Sequence, residues 1–308
     1  LVTRTDLPYK TFMKSLFLVP FMLPSFIGAL AWKMLLSPHS GYINKLWMDM
    51  FNTTEPLFNI YSYAGIALVE VMYLFPFVFI QVCGALERMD PTLEESARIS
   101  GAGLLTITRK ITIPLVLPSI MSGALLIMLY SMAHFGTVAV LGIEQGIYNI
   151  PTLIYEKIHQ SAGSFASIRT GTVLATVLIA SAALIIWTQQ KILSRGHYQI
   201  IGGKSFRPME LKLRGLRYPL LFFCLAYIGF TIVLPTVVIF LVGGVQTYGL
   251  SILDPNNLSL DNYKYILFEY DVTRDAIWNS VTLGLAAAFI TMFAGVMISY
   301  VIVKMKVR

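Results

Sequence analysis

Charged residues are scarce in this sequence. Only 13% of its 308 residues are Asp, Glu, Lys or Arg, whereas 56% are hydrophobic. The mean hydropathy is +0.70. Because soluble domains carry about 25% charged residues, this composition excludes an ordinary soluble domain and predicts a membrane protein.

Cysteines are few, and the common metal and nucleotide patterns are missing. Cys83 and Cys224 both fall in apolar stretches, where cysteine behaves as a small hydrophobic residue, so we expect no disulfide. The sequence has no Cys/His cluster with metal-ligand spacing. It also has no glycine-rich phosphate loop followed by Lys and Ser or Thr. We therefore expect no metal site, no cofactor and no ATP hydrolysis by this chain alone.

Six apolar runs are each long enough to cross a bilayer, which takes roughly 20 residues. They lie at 15–36, 63–86, 115–141, 168–188, 216–242 and 278–303. Four prolines inside these runs, Pro20, Pro24, Pro76 and Pro235, predict kinks. The sequence thus predicts an all-α integral membrane fold with about six transmembrane helices.

The distribution of Lys and Arg predicts the orientation of these spans. With the amino end inside, 17 of the 23 Lys and Arg residues fall in inner segments. This places both ends of the chain and the 87–115 loop in the cytoplasm. The net charge of +7 is dispersed among loops without a basic and aromatic groove. We therefore expect membrane lipid, namely the anionic inner leaflet, as the electrostatic partner, and no nucleic acid.

The segment between the second and third runs predicts a short helix followed by an elbow. Asp90 and Pro91 suit the cap and first position of a helix, and Glu94 lies in its first turns, where the helix dipole favours negative charge. Gly101 then ends the helix, because glycine readily adopts the left-handed terminating conformation.

A second short helix is predicted over residues 104–113. Leu104, Ile107 and Ile111 share one apolar face of it, and Pro114 is expected to prevent its continuation. An ordinary surface helix-turn-helix would show the same features. Its position between two membrane spans favours a specialised role, and the small residues at the elbow would let another protein approach closely.

The fixed positions of this segment resemble the loop by which membrane subunits of ABC importers bind their ATPase. The family pattern is Glu-Ala-Ala, three residues, Gly, nine residues, Ile-x-Leu-Pro. Here it reads Glu95-Ser96-Ala97, then Gly101, then Ile111-Thr112-Ile113-Pro114, so a serine replaces one alanine and an isoleucine the leucine. The resemblance implies a cytoplasmic coupling loop made of Glu94, Glu95, Ser96, Ala97, Gly101, Leu104, Ile107, Ile111 and Pro114.

Longer stretches resemble the iron(III) permeases that consist of two fused halves. These stretches are residues 3–8, 19–24, 28–32, 133–136, 140–142, 150–155, 260–263 and 279–283. One departure is His134, where that type often has a carboxylate. Permeases for thiamine, polyamines, sulfate and phosphonates share much of the pattern and remain alternatives.

The resemblance implies a permease subunit of a bacterial ATP-driven importer, with ferric iron as the expected substrate. Such a subunit is no enzyme itself. Its implied partners are cytoplasmic ATP-binding subunits, expected to be two, and a periplasmic or lipid-anchored substrate-binding protein. The implied location is the bacterial inner membrane.

The two ends of the chain resemble each other. Residues 1–4 and 301–304 both continue a span into a basic inner segment, and the basic stretch 189–217 has the glycines and proline of a linker. We therefore expect residues 1–200 to be the last four spans of a first half, and 201–308 the first two of a second. A chance match of two basic span ends is the alternative.

Glu70 and His134 lie within predicted spans and are candidates for lining a passage. A carboxylate in the membrane is costly and by default functional, and histidine titrates near neutral pH. Hydrogen bonding between packed helices is the plainer explanation for both. A secondary transporter would need more paired charges within its spans, and an intramembrane enzyme would need a polar catalytic set that the sequence lacks.

Overall fold

The part of the chain that the structure describes consists of helices joined by turns and loops. The computed structural model describes residues 2–160, 165–195, 212–247 and 255–304. These ranges contain no β-strand, and β pairing is limited to isolated bridge residues such as Val245 and Leu258, which pair with each other. The prediction of an all-α fold is therefore confirmed.

The α-helices of the described ranges extend from Lys10 to Lys304. They are α1 (Lys10–Leu16), α2 (Val19–Met22), α3 (Ser25–Leu36), α4 (Tyr42–Phe51), α5 (Tyr63–Arg88), α6 (Thr92–Ile99), α7 (Leu104–Ile107), α8 (Ile113–Ala133), α9 (Gly136–Leu141), α10 (Ile150–Gln160), α11 (Phe165–Arg195), α12 (Arg217–Ile228), α13 (Leu234–Gly243), α14 (Asp261–Lys264) and α15 (Asp271–Lys304).

Five helices in the described ranges are long and apolar enough to cross a bilayer. They are Tyr63–Arg88, Leu104–Ala133, Phe165–Lys191, Arg217–Gly243 and Asp271–Ile302, and a bent pair at the start of the chain would make a sixth. The prediction of about six spans is therefore confirmed.

The first predicted span, 15–36, is broken in the middle. Lys10–Met22 and Ser25–Leu36 meet at an angle of 90°. Pro24 explains the break, because proline lacks an N–H and disfavours the helical conformation of the residue before it. Leu23 is accordingly extended, with φ −84° and ψ 133°. Pro76, by contrast, lies inside the continuous helix α5.

Pro114 does not end the second short helix, which corrects the prediction. A π-helical segment, Thr108–Thr112, joins α7 directly to α8, and Pro114 lies at the start of α8. A π segment shifts the hydrogen-bond register by one residue, so the chain can continue as a helix where a proline would otherwise clash with the preceding turn. Loop and span are therefore one continuous helical unit from Leu104 to Ala133.

The third span also ends earlier than the sequence predicts. The apolar run reaches Leu141, but α8 stops at Ala133 and His134 is extended, with φ −76° and ψ 122°. The short helix α9 then begins at Gly136. The break places His134 at a helix end rather than within a helix.

Helix α5 packs against several other elements of the amino-terminal part. Gly123 of α8 lies against Val78 of α5, where an added Cβ would approach the Val78 backbone to 3.1 Å. The ring of Phe17 lies 5.2 Å from that of Phe79 and 5.9 Å from that of Tyr227. Such ring pairs add about 0.5–1.5 kcal/mol each beyond area burial, so they fasten the end of α1 to both α5 and α12.

Two compact units, Leu1–Val238 and Ile239–Arg308, divide the chain within α13. Inside the second unit, the Tyr263 hydroxyl donates to the carbonyl of Phe240 at 2.7 Å. The predicted division at residues 200 and 201 lies outside the described residues, as does part of the 189–217 linker. That division remains a prediction.

Candidate functional site

The loop between α5 and α8 has the predicted form of two short helices joined at a glycine elbow. Gly101 has φ +84°, in the left-handed region. Two hydrogen bonds close the end of α6, one from the Gly101 N–H to the carbonyl of Arg98 at 2.9 Å and one from Ala102 to Ala97 at 3.0 Å. This is the Schellman arrangement that ends many helices. Gly101 is thus required for its backbone conformation.

Asp90 caps the start of α6 from the position before Pro91, and α6 begins at Thr92, one residue later than predicted. Its carboxylate accepts a hydrogen bond from the Thr92 N–H at 2.9 Å. The same bond lowers the pKa of Asp90 below its ordinary value, because it stabilises the charged carboxylate. The cap fixes where the first helix of the loop begins.

Glu94 is buried and anchors the loop to the rest of the protein. One carboxylate oxygen lies 3.5 Å from the guanidinium of Arg4, and the other accepts a hydrogen bond from the Thr112 hydroxyl at 2.8 Å. Arg4 also donates to the carbonyls of Leu86 at 2.7 Å and Met89 at 3.0 Å, which end α5. We call Arg4, Glu94 and Thr112 the loop anchor. It ties α6 to the end of α5 and to the segment that leads into α8.

The second glutamate of the pattern faces outward. Glu95 and Ser96 are exposed, and Ala97 is half-buried. The two adjacent glutamates therefore have different surroundings, since Glu94 is bound within the chain and Glu95 is available to a partner.

The predicted apolar face of Leu104, Ile107 and Ile111 is not a single exposed surface. Ile107 is only 6% exposed, whereas Leu105 is 83% and Ile99 is 88% exposed. Leu104 is also exposed, and Ile111 is half-buried. The correction follows from the join to α8, because α7 turns Ile107 toward the protein and leaves Leu105 outside.

Sequence reasoning missed Arg4 as a member of this site. Arg4 precedes Glu94 by 90 positions, and on sequence alone it counts as one of the inner basic residues. Its role depends on the chain returning to the same place after two helical passages. The nearby leucine pair at 104 and 105 is visible in the sequence, but the sequence does not determine that Leu105 is more exposed than Leu104, at 83% against 52%.

Glu70 and His134 lie together in the membrane part of the structure. His134 Nδ1 is 3.3 Å from one oxygen of Glu70, and the Ser131 hydroxyl donates to the other oxygen. Both ionisable side chains are largely buried. The sequence predicts each as a candidate for the passage, but not that they touch.

The other ring nitrogen of His134 points toward the broken first span. Its Nε2 is 2.6 Å from the hydroxyl oxygen of Ser25, the first residue of α3. Both residues line a cavity of about 480 Å³, together with Tyr73, Tyr130 and Pro24. The polar group thus lies where the helix break at Pro24 opens the packing.

Asn149 holds the backbone at His134. Its Nδ2 donates to the His134 carbonyl at 2.5 Å, and its Oδ1 accepts from the Thr152 N–H at 3.1 Å at the start of α10. Contacts from α3, α5, α8 and the segment before α10 therefore fix the position of one imidazole. In the described residues, no three His, Cys, Asp or Glu side chains gather into a metal-type cluster.

Comparison with known proteins finds one family of membrane transport components that covers most of the described part of the chain. Residues 6–196 match the family model "Binding-protein-dependent transport system inner membrane component". The chain is 27% identical over 296 residues, 93% of its length, to a ferric transport system permease protein of Actinobacillus pleuropneumoniae. It is 28% identical over 195 residues, 61% of its length, to the spermidine/putrescine permease PotB of Escherichia coli.

These alignments also show how much of each relative the chain spans. It covers 40% of the Actinobacillus protein and 68% of PotB. It covers 80% of the molybdenum permease ModB of Escherichia coli at 28% identity. The chain therefore spans less than half the length of the ferric permease and most of the shorter relatives.

Proposed function

The chain belongs to the family of inner membrane components of binding-protein-dependent transport systems, and we propose that it forms part of the passage of an ATP-driven importer for ferric iron. Cytoplasmic ATP-binding subunits, expected to be two, would bind the α6–α7 loop. A periplasmic or lipid-anchored binding protein would deliver the substrate from the opposite side of the membrane.

The form of the α6–α7 loop carries this proposal. It is a rigid projection, because Asp90 caps its start and the Gly101 elbow sets its turn. Its outer surface combines the exposed Glu95 with the exposed apolar residues Ile99 and Leu105. A charged group beside exposed apolar side chains is suited to a protein partner, since large exposed apolar side chains are costly in water.

The loop anchor explains how force on the loop would reach the membrane part. A partner that moves α6 would pull on Glu94, which is held by Arg4 and Thr112. Arg4 is bonded to the end of α5, and Thr112 continues directly into α8. Movement of the loop would thus be passed to two membrane helices rather than absorbed in a flexible connection.

Site-specific photo-crosslinking tests the partner. A photoreactive residue in place of Leu105 should give an adduct with the ATP-binding subunit encoded with this permease. The matched control is Leu57, an exposed leucine before the opposite end of α5. We expect an adduct at Leu105 and none at Leu57. Absence of an adduct at both Leu105 and Ile99 would contradict the assignment of the loop.

Ferric iron is favoured as cargo by the extent of the similarity. Two ferric permeases, from Actinobacillus pleuropneumoniae and Haemophilus influenzae, align over 93% of the chain, whereas the polyamine and molybdenum permeases align over 61%. Uptake of labelled iron, spermidine and molybdate by cells carrying the complete transport system separates these cargoes. Uptake of either competitor without iron would replace the iron proposal while leaving the transporter class in place.

A further inference from the structure

We propose that one side of helix α4 binds phospholipid and lies among the lipid headgroups and the upper acyl chains. Four apolar side chains make up this side, namely Leu46, Trp47, Met50 and Phe51, and we call them the α4 apolar face. The inference goes beyond the proposed function. It needs only that the chain belongs to a family of membrane components, and it is independent of the cargo and of the ATP-binding subunits.

The fold holds α4 where one apolar helix ends and the next begins. α4 follows α3 and precedes α5, a helix long and apolar enough to cross a bilayer that begins at Tyr63. Asn44 of α4 is 0% exposed. Its Nδ2 donates to the carbonyls of Leu36 and Ser37, at the end of α3, at 3.1 Å and 3.0 Å. It also donates to the carbonyl of Phe58, ahead of α5, at 2.8 Å. These bonds fix α4 at the ends of two membrane helices.

Charged side chains mark the edge of the membrane at the same level. Lys33 in the last turn of α3 pairs with Glu144 at 3.2 Å, and its ammonium lies 5.7 Å from the ring centroid of Tyr61. The side chains of Lys33 and Glu144 are 30% and 63% exposed. Because exposed charges are costly in hydrocarbon, the membrane core ends near Lys33. This is one helical turn before the carbonyls that bind Asn44.

Helix α4 has three chemically different sides when its residues are placed at 100° intervals. The first side carries the buried Asn44 and packs against the protein. The α4 apolar face covers an arc of about 140°, on which Leu46 and Met50 are 63% and 73% exposed. Lys45 and Asp49 lie together on the third side. A helix that lies flat at the edge of a membrane protein needs one side for protein, one for lipid and one for water.

The chemistry of the α4 apolar face favours lipid as its occupant. The rings of Trp47 and Phe51 lie 4.1 Å apart, and such residues form the buried side of interfacial helices. Tyr63, at the start of α5, is 77% exposed and adds a ring of the type that is enriched at membrane surfaces. Lys45, beside the face, can pair with a lipid phosphate. Through Asn44, this lipid contact would set the depth of α3 in the bilayer.

Spin-label accessibility of the full chain in nanodiscs of phosphatidylethanolamine and phosphatidylglycerol tests the proposal. In a cysteine-free background, Leu46→Cys and Met50→Cys place a label on the α4 apolar face. The matched controls Lys45→Cys and Asp49→Cys each lie one position away, on the third side. We expect relaxation by oxygen to exceed relaxation by a water-soluble nickel chelate at the first two positions, and the reverse at the two controls.

Two results would overturn the proposal. Stronger relaxation by the nickel chelate at all four positions would show that α4 faces water. Low accessibility to both reagents at positions 46 and 50, either in the protein alone or after addition of its substrate-binding protein, would show that a protein covers the face instead of lipid.

A second measurement needs no variant. A phospholipid with a photoreactive diazirine near the top of its acyl chain should form adducts within residues 46–51 of the unsubstituted protein, as located by mass spectrometry. Helix α11 is the positive control, since its Val177 is 51% exposed within a candidate span. Helix α6 is the negative control, because its exposed Glu95 would report unspecific capture. Adducts in α11 without any in residues 46–51 would overturn the proposal.

Discussion

Removal of the Arg4 side chain should destabilise the protein far more than removal of an exposed lysine in a comparable ion pair. The side chains of Arg4 and Glu94 are 7% and 12% exposed. Truncation of one partner of a buried pair costs about 3–5 kcal/mol, because the other charge stays buried without compensation. Thr112 would still donate to Glu94, so we expect Arg4→Ala to lie near the lower value, about 3 kcal/mol.

The chain contains a matched control for this substitution. Lys14 and Glu87 form an ion pair of 2.5 Å whose side chains are 37% and 45% exposed. Exposed pairs contribute about 0.2–1 kcal/mol, so Lys14→Ala should have a small effect. Unfolding of both variants in detergent gives the comparison, and hydrogen exchange of residues 92–107 should become faster only in Arg4→Ala.

A double substitution separates the charge from the packing. Arg4→Met combined with Glu94→Gln removes both charges and keeps most of the volume, so the cost should be well below that of Arg4→Ala. Equal unfolding midpoints and equal exchange rates for Arg4→Ala and Lys14→Ala would refute the reasoning, because they would show that the loop anchor contributes no more to stability than a surface ion pair.

Three further predictions concern the loop and the orientation. Gly101→Ala and Gly101→Leu should lower the free energy of unfolding equally, by about 1–2 kcal/mol, because the position has φ +84° and open space around it. Gly103→Ala, at a position where φ is −70°, should be nearly neutral in the same unfolding assay. Asp90→Ala should speed the exchange of the Thr92 amide and Asp90→Asn should not. Since the pKa of Asp90 is lowered, the charge-dependent part of its contribution should be complete above about pH 4 and lost as the pH falls through the lowered pKa. In a cysteine-free background, Ser100→Cys should react only from the cytoplasm and Thr54→Cys only from outside; labelling of both from one side would contradict the orientation.

Residue type and spacing were enough to predict the class of fold, the helix α6 and the glycine elbow that follows it. Long apolar runs need a bilayer, and a helix satisfies its own backbone groups there, so the number of spans followed from hydropathy. The caps of α6 are local, since Asp90 bonds two residues ahead and Gly101 bonds within its own turn. Local hydrogen bonds of this kind are encoded in a short stretch of chain.

The way in which each proline is accommodated could not be predicted from the sequence. Pro24 breaks its helix by 90°, Pro76 lies within a continuous one, and Pro114 follows a π segment that keeps the helix intact. The residue is the same in each case. The outcome depends on whether neighbouring helices hold the chain straight or leave a space, which is a property of the packing.

The choice of side chains that share a site came from the packing of the helices alone. Glu70 and His134 are 64 positions apart, and Arg4 and Glu94 are 90 apart, yet each pair is in contact. Hydropathy and spacing report which face of a helix is polar, but not which polar groups meet across helices. In a low-dielectric interior each of these groups needs a partner. The packing of α5 and α8 brings Glu70 to His134, and the return of α6 to the first turn of the chain brings Glu94 to Arg4.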